Sequence, residues 1–469
     1  MSNNLLAAAA DSAAPAGFKR RIGLILTMAG FAVGLGNVWR FPHFAATYGG
    51  GAFVVIYIAL MFTFGLALMI AEVSIGRRTG KSTIEAMTKV NGKFKWIGLM
   101  AVLVSAIVFP YYSVIAGWVG HYAGRYLTGQ GAGLEVDGTF AAFNSSIWAP
   151  ILWAVAFIVI NAALVHAGVQ KGIERLNTIA MPVLVILMAA LAVYGLTLPG
   201  AGAGVQLYLV PDWSQVTLLT FVAAVRQIFF SIGLAWGVMV LYGSYMKKDE
   251  AIEKTSIQIL GADTIVALIA GLMVIPMAAS FQALTEPMEG VRAPGQGAGM
   301  LFNTMPQVFE SMGSAGMVIA AAFFTSVFLA ALTSSVSMME VPVAAIMAKT
   351  GWARGKTVWI MAAAFILLAI PASLGFGAWS GVTLIAGNNI LNSMAFVAES
   401  TFMPLVALFT SILIGWVVGP KWMAAEVRES GQPFKLEGLI TVMIKWIVPI
   451  IALVVFISSM LMTFGNLTL

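Results

Sequence analysis

Two apolar stretches of this sequence contain small and polar residues that could carry chemistry inside a membrane. The first reads GFAVGLGN at positions 30–37, with Arg40 just beyond it, and the second reads SIGLAWG at positions 231–237. Glycine favours helix breaks, and a broken backbone in lipid is tolerated only where it lines a cavity or is buried in protein. Two interrupted spans are typical of a transporter with inverted repeats and a binding site at the midplane. Close packing of helices through small residues is the alternative.

The composition indicates that lipid surrounds most of the chain. The 469 residues are 60% hydrophobic and 9% charged, with a mean hydropathy of +0.94, whereas soluble proteins carry roughly 25% charged residues. An ordinary soluble protein is therefore excluded, and the absence of cysteine excludes a disulfide scaffold. The net charge of +6 comes from basic residues spread between apolar blocks, so we expect no nucleic-acid partner and a role of these charges in membrane orientation.

Eleven apolar blocks are long enough to cross a bilayer as helices, which needs about 20 residues each. A β-barrel would instead alternate apolar and polar residues in short strands, so the sequence predicts an all-α polytopic membrane protein. The blocks lie near 21–47, 52–76, 97–126, 148–167, 177–197, 219–246, 254–280, 316–347, 357–375, 388–419 and 438–464.

The basic residues between these blocks predict the orientation. Twenty of the 25 Lys and Arg fall on one side if the N-terminus is cytoplasmic, whereas Arg125 and Arg292 fall on the other side. The positive-inside rule then predicts a cytoplasmic N-terminus, and an odd number of spans predicts an external C-terminus. Residues 1–18 have no basic residue and are expected to form a disordered cytoplasmic tail rather than a signal peptide. We expect localisation in the cell inner (plasma) membrane.

Five motifs resemble those of the neurotransmitter:sodium symporter family, in its bacterial amino-acid transporter branch. They are GLGNVWRFP at 34–42, GGGAF at 49–53, KGIER at 171–175, QIFF at 227–230 and LTSS at 332–335. The resemblance implies the leucine-transporter fold, with spans 1 and 6 broken and spans 1–5 and 6–10 as inverted repeats. One transmembrane domain at 19–469 would hold repeat one at about 19–197, repeat two at about 219–419 and an extra helix at about 438–464.

The resemblance also implies two sodium sites, for which hard oxygen ligands are suitable. The ligands of the first, beside the carboxylate of the substrate, would be the carbonyl of Ala32 and the side chains of Asn37, Ser231 and Asp263. The ligands of the second would be the carbonyls of Gly30, Val33 and Ala330 with the hydroxyls of Thr333 and Ser334. Back-bonding of Thr333 and Ser334 to their own helix is the alternative.

The substrate implied by the resemblance is a neutral amino acid with an apolar or small side chain. Monoamine relatives place an aspartate at the position of Gly34, and glycine leaves room for a substrate carboxylate. That carboxylate would meet the amides near Leu35 and Gly36 and the Tyr112 hydroxyl, and the ammonium group would meet carbonyls around Ala32. The residues expected to bind the substrate are Ala32, Leu35, Gly36, Val108, Tyr112, Phe230, Ser231, Gly233, Trp236, Ser334 and Met338. An ordinary core is the alternative for Phe230, Trp236 and Met338.

Chloride is not expected to be required. Chloride-dependent relatives hold the anion with residues that match Tyr57, Gln227 and Ser231 and with a serine where this chain has Ala267. The Asp263 carboxylate would supply the negative charge instead.

Several residues are expected to gate or support the pathway. Arg40 would serve the outer gate, but the matching acidic position reads Asn392, and Glu399 has no assigned partner. The inner gate has no acidic residue at Ala348 and Lys349, so neither gate is expected to close through an ion pair. The gate at the substrate would depend on Phe230 and Tyr112, while Glu72 and Glu340 would accept hydrogen bonds from the broken-helix backbone.

Gly172 and Pro182 bracket nine residues at the start of the fifth span. Glycine lowers the cost of unwinding and proline removes a backbone donor, so this spacing predicts a cytoplasmic hinge that lets water reach the second sodium site. Simple capping and kinking of the helix is the alternative.

These features together predict a sodium-coupled amino-acid symporter that is not an enzyme. A substrate sensor that keeps the fold without transporting is the second hypothesis, favoured by the weak gates. No paired aspartates or metal-ligand spacing in the sequence favours an enzyme.

Overall fold

The computed structural model describes residues 21–134, 138–280 and 300–465. In these ranges the chain is helical, with no β-strand beyond isolated bridges of Gly50 with Pro211 and of Thr383 with Asn389. The predicted all-α fold is thus confirmed. The predicted tail at 1–18 and Arg292 lie outside the described residues.

The helices of the first half follow one another through short connections. Their bounds are α1 Arg21–Ala32, α2 Gly36–Thr47, α3 Gly51–Thr79, α4 Thr83–Val90, α5 Gly92–Leu127, α6 Thr139–Ser145, α7 Trp148–His166, α8 Val169–Leu196 and α9 Ala201–Leu209. A short 3-10 turn, Trp213–Gln215, leads to the second half.

The second half repeats the alternation of long helices with short ones. Its bounds are α10 Leu218–Ser231, α11 Val238–Ser244, α12 Ile252–Ser280, α13 Met305–Ser311, α14 Ser314–Thr350, α15 Arg354–Leu374, α16 Ile390–Val417, α17 Pro420–Arg428 and α18 Glu437–Phe464. Helix α16 contains a π-helical stretch, Phe396–Phe402, that bears on the site below.

The predicted breaks of the first and sixth spans are both present. Helices α1 and α2 meet at a bend of 51° and together are long enough to span a membrane. Helices α10 and α11 are each too short to span alone and are separated by the break at 232–237. In the described residues nine helices are long and apolar enough to cross a membrane, or ten with the bent pair. The count of eleven stays a prediction, because it includes the α10–α11 pair.

The broken helices lie inside the bundle, and the continuous ones surround them. Helix α1 contacts α8, α12 and α14, while α5 and α14 form the most extensive helix pair. Large apolar side chains such as Ile186, Leu367 and Ile450 are exposed on the outer helices. Such a surface is stable against lipid tails, whereas the freed polar backbone of the breaks must be satisfied in the interior.

The segment predicted to be a hinge is helical in this structure. It begins as a π-helical turn, Val169–Glu174, and Pro182 lies within the helix that follows. A side chain at Gly172 would collide with the carbonyl oxygen of Leu164. Close packing against α7 is therefore one reason for glycine here, beside the predicted ease of unwinding.

Candidate functional site

In the first break, a polar side chain accepts a hydrogen bond from a backbone amide that the break leaves free. Helix α1 ends at Ala32, and the side chain of Asn37, in the first turn of α2, accepts a hydrogen bond from the Gly34 amide at 3.3 Å. The Leu35 amide donates to the Tyr112 hydroxyl of α5 at 3.2 Å. A Cβ atom at Gly34 would lie 2.6 Å from the Ser334 Oγ. A side chain at this position would therefore displace the Ser334 hydroxyl, because α14 approaches the break closely.

The second break is held open by hydrogen bonds from neighbouring helices. Gly233, Ala235 and Gly237 all have positive φ, and the value of 68° at Ala235 is strained for a residue with a side chain. The Ala235 amide donates to Glu72 Oε1 at 2.8 Å, which is the structural acceptor role predicted for Glu72. The Ser105 hydroxyl donates to the Trp236 carbonyl at 2.7 Å. The break is therefore a built feature rather than a frayed helix end.

A buried polar junction joins the two breaks to α12. The Asn37 amide donates to Asp263 Oδ1 at 2.7 Å, the Ser231 hydroxyl donates to the same oxygen at 2.8 Å, and the Tyr57 hydroxyl donates to Oδ2 at 3.1 Å. Ser231 also lies 3.1 Å from Asn37 Oδ1. Asn37, Ser231 and Asp263 are the side chains predicted for the first sodium site, and the structure brings these three together. A carboxylate with amide and hydroxyl oxygens suits a hard cation.

The residues predicted for the second sodium site meet where α14 crosses the break of α1. The Ser334 hydroxyl donates to the carbonyls of Gly30 and Val33 at 3.2 and 3.1 Å. The Thr333 hydroxyl donates to the Ala330 carbonyl at 3.0 Å, within its own helix. Back-bonding therefore describes Thr333, whereas Ser334 reaches across to the broken helix. The structure thus joins Ser334 to the carbonyls of Gly30 and Val33, and Thr333 to the carbonyl of Ala330, with no charged side chain in either set.

The residues predicted to contact the substrate side chain are buried around the breaks. Val108 and Met338 lie on α5 and α14, and the rings of Phe230 and Trp236 meet edge to face with centroids 5.6 Å apart.

Phe31 belongs to this group, and the sequence reasoning missed it. Its ring lies 5.9 Å from that of Trp236, and a Cβ atom at Gly233 would overlap it. Phe31 thus fills space that the sequence reasoning left to the substrate. The only signal of this contact in the sequence was Gly233, a residue without a side chain in the second break, which leaves room for a neighbouring ring.

The outer gate differs from the prediction, because it does contain an ion pair. Arg40 Nη1 lies 2.8 Å from Glu399 Oε2, and the Tyr111 hydroxyl donates to Glu399 Oε1 at 2.7 Å. The Arg40 guanidinium also lies over the rings of Phe44 and Phe230, at 5.2 and 4.7 Å from their centroids. The acidic partner stands seven residues beyond Asn392, in the π-helical stretch of α16.

The inner side also differs from the prediction. Arg354, at the start of α15, pairs bidentately with Glu340, with N–O distances of 2.5 and 3.0 Å, and donates to the Val165 carbonyl. The prediction that Glu340 accepts from broken-helix backbone is wrong, since its partners are Arg354 and Tyr245. The acid lies two turns deeper in α14 than Ala348, where an acidic residue was sought. An ion pair is thus present in each of the two regions where a gate without one was expected, so the weak gates that favoured a non-transporting sensor are not observed.

The residues compared with a chloride site also lie at the junction. Gln227 donates from Nε2 to the Gly36 carbonyl at 3.0 Å, and Ala267 is buried one turn along α12 from Asp263. Tyr57 donates to Asp263, as described above. A carboxylate therefore occupies the surroundings in which the resemblance would put an anion.

The fold and the site define a multi-pass helical membrane protein of the leucine-transporter type, with oxygen ligands gathered at two broken helices. The sequence profile of the sodium:neurotransmitter symporter family matches residues 16–142 and 143–468. The chain belongs to this family of transporters.

Three relatives agree with that assignment. The chain is 33% identical to YhdH, an uncharacterized sodium-dependent transporter of Bacillus subtilis, over 95% of this chain and 97% of the relative. It is 30% identical to an uncharacterized sodium-dependent transporter of Haemophilus influenzae, over 94% of this chain and 97% of the relative. Among solved structures, MhsT in complex with L-phenylalanine matches with 35% identity and a TM-score of 0.84, over 94% of this chain and 99% of that one.

Proposed function

We propose that this chain is a sodium-coupled symporter that carries neutral amino acids with apolar or small side chains by alternating access. The observation that carries the proposal is the junction of Asn37, Ser231 and Asp263 between two broken helices. It gathers a carboxylate and cation-binding oxygens at the depth where lipid forbids free polar groups. The substrate carboxylate would complete the ligands of a sodium ion there, which would couple the two bindings directly.

The amino-acid backbone would be held by the broken helices. The Leu35 and Gly36 amides and the Tyr112 hydroxyl would bind its carboxylate, because amides at a helix start favour an anion. The Ser231 hydroxyl and the carbonyls around Ala32 would bind its ammonium group. No side chain of this set forms a counter-charge for an amine alone, which supports an amino acid as substrate.

The side chain of the substrate would lie among Val108, Phe230, Trp236 and Met338. These residues offer no charge, so a charged side chain would remain unpaired at high cost. Phe31 and Trp236 narrow this space, which supports small side chains within the neutral class. MhsT was solved with L-phenylalanine, so a bulky apolar side chain is the competing choice.

Two sodium ions and a zwitterion would carry net positive charge inward. A membrane potential of 100 mV would contribute about 2.3 kcal/mol for each net charge moved. The second ion would bind at Ser334 and Thr333 and the neighbouring carbonyls, and the hinge at Gly172 and Pro182 would admit water to it. Chloride would not be required, because Asp263 already carries the negative charge.

The proposed arrangement in the membrane follows the sequence. The N-terminus would be cytoplasmic and the C-terminus external in the inner membrane, with repeats at about 19–197 and 219–419 and an extra helix at about 438–464. Arg40 and Glu399 would then close the external side of the site, and Glu340 and Arg354 the cytoplasmic side.

Uptake into proteoliposomes from a panel of twenty radiolabelled amino acids tests the function. We expect accumulation of small or apolar neutral amino acids with an inward sodium gradient, and faster uptake when the interior is negative. Equal uptake in choline or potassium buffer would contradict sodium coupling, and accumulation of charged amino acids alone would contradict the substrate class.

A further inference from the structure

The external side of the site contains two arginines but only one carboxylate. Both oxygens of Glu399 have a partner, Arg40 at 2.8 Å and the Tyr111 hydroxyl at 2.7 Å. The other arginine, Arg226, forms no ion pair or hydrogen bond within the part of the chain that the structure describes. It lies partly buried on α10. The cluster therefore carries one positive charge in excess.

Arg226 faces the same region as the ion pair. It lies one helical turn before Phe230, and residues four apart share a helix face. The Arg40 guanidinium lies 4.7 Å from the centroid of the Phe230 ring. The charged and ionisable side chains that act electrostatically on Arg226 are Arg40, Glu399 and Tyr48. Arg226 and Arg40 are thus two like charges near a single carboxylate, and partial burial screens their repulsion less than water would.

Hydration alone is a weak explanation for this second arginine. An arginine near a helix end can extend its head group to the interface. Arg226, however, lies eight residues inside α10, which begins at Leu218, about 12 Å along the helix axis from that end. A partly buried guanidinium without a protein partner is stabilised when an anion accompanies it.

We propose that Arg226 and Arg40 form a binding site for a small monovalent anion at the external side of the substrate site. Guanidinium groups bind carboxylates and similar anions through several N–H donors at once. The anion could come from two sources, dissolved chloride or the carboxylate of an amino acid entering the site. This site is separate from the Asp263 junction: Gln227, the neighbour of Arg226, turns to another face of α10 and donates to the Gly36 carbonyl. Binding there would not make chloride a requirement for sodium coupling.

Thermal unfolding of the purified full chain in detergent tests the site without transport. The midpoint Tm is measured in sodium-free potassium buffer while chloride or acetate replaces the bulkier isethionate at constant ionic strength. A ligand that binds the folded state raises Tm with its concentration. We expect a saturable rise in the wild type, the loss of that rise in Arg226→Gln, and its retention in Arg125→Gln. Arg125 is a suitable control because it lies on α5 and donates to the Gln130 carbonyl.

A second variant gives an effect of the opposite sign. Glu399→Gln removes the carboxylate that competes with the anion for the arginines. The half-saturating anion concentration should therefore fall by about tenfold, because one negative charge no longer repels the anion. A response to chloride alone, to acetate alone or to both identifies the source and supports the site. The proposal is wrong if neither anion gives a saturable rise, if Arg226→Gln responds like the wild type, or if Glu399→Gln leaves the half-saturating concentration unchanged. The comparison of Glu399→Gln with the wild type tests the proposal even if Arg226→Gln does not fold.

Discussion

The two proposed sodium sites lie on the same broken helix but differ in the charge of their ligands. The first is organised by Asp263, whose carboxylate accepts from Asn37, Ser231 and Tyr57. The second has only hydroxyls and carbonyls, with Ser334 as the side chain that reaches the broken helix. One site can attract a cation by charge, whereas the other must do so by the number and position of neutral oxygens.

Because of this difference, the two sites should respond differently to the loss or displacement of a ligand. Coulomb attraction to a buried carboxylate declines slowly with distance, so the first site should tolerate small displacements of its neutral ligands. A site of neutral dipoles lacks this long-range attraction, so the loss of one oxygen should weaken its sodium binding severely. The second site should therefore be the more fragile, and also the easier to empty toward the cytoplasm.

The largest effect is expected from Thr333→Val, which removes one oxygen from the neutral site without changing its shape. The half-saturating sodium concentration for uptake should rise by about 100-fold, since a hydrogen bond or contact to a charged group is worth about 3 kcal/mol at most. Sodium titration of uptake into proteoliposomes measures it.

Thr325→Val is the matched control for that experiment. Thr325 lies two turns earlier on the same helix α14, and its buried hydroxyl has no hydrogen-bond partner among the described residues. Its replacement should change sodium dependence by less than about twofold. If Thr333→Val keeps the sodium dependence of the wild type, Thr333 is only a back-bonded helix residue and the comparison fails.

The next effect tests the charged site through Asp263→Asn and Ala267→Ser. Asp263→Asn keeps the shape but removes the charge, and sodium-driven uptake should fall by about tenfold or more. Ala267→Ser adds a hydroxyl one turn away, so in the double variant chloride should replace the missing charge and restore uptake. Uptake in chloride and in isethionate buffer distinguishes the variants.

Two results would contradict the charged-site interpretation. Wild-type uptake that needs chloride would show that Asp263 does not supply the charge. A double variant that gains nothing from chloride would make Asp263 a structural acid. Thr264→Val serves as the control, because Thr264 is the neighbour of Asp263 on α12 and its hydroxyl has no partner among the described residues.

The sequence predicted the two helix breaks well because glycine and polar residues at membrane depth leave few structural choices. The runs at 30–37 and 231–237 indicated both breaks, and the motif residues Asn37, Ser231 and Asp263 do lie together. What the motifs could not predict is contact between residues far apart in sequence. In the sequence, Phe31 is an ordinary apolar residue. In the structure, the ring of Phe31 fills the space beside Gly233, which has a positive φ and no side chain.

The difference between the predicted and the observed gates is geometric. At the positions that match the acidic residues of relatives this chain has Asn392 and Ala348, and its acids lie elsewhere on the same helices. The π-helical stretch Phe396–Phe402 changes the register of α16 and points Glu399 at Arg40. A π turn has no clear signature in a uniformly apolar sequence, so the register of such a helix is known only from its packing.

A smaller effect should separate substrate selection from both sodium sites. Phe31 lies between Gly30 and Ala32, whose carbonyls are assigned to different sites. Phe31→Ala should enlarge the space beside Trp236, so that the ratio of phenylalanine to alanine uptake rises by about fivefold, the effect of a few methylenes in an apolar pocket. Sodium dependence should stay near that of the wild type. An unchanged ratio, or a lost sodium dependence, would show that Phe31 supports the break rather than the pocket.

The smallest effect concerns the release of sodium from the neutral site. In this structure the segment from Gly172 to Pro182 is helical, and Gly172 packs against the Leu164 carbonyl. Pro182→Ala restores a backbone donor, which should stiffen the segment and slow sodium release by about threefold, since a single backbone hydrogen bond is worth about 0.5–1.5 kcal/mol. Substrate affinity from outside should stay nearly unchanged, because Pro182 is exposed and remote from the Asp263 junction. Hydrogen–deuterium exchange over 172–182, with and without sodium and substrate, measures the opening; equal protection in both conditions would rule out the hinge and leave Pro182 as a simple kink.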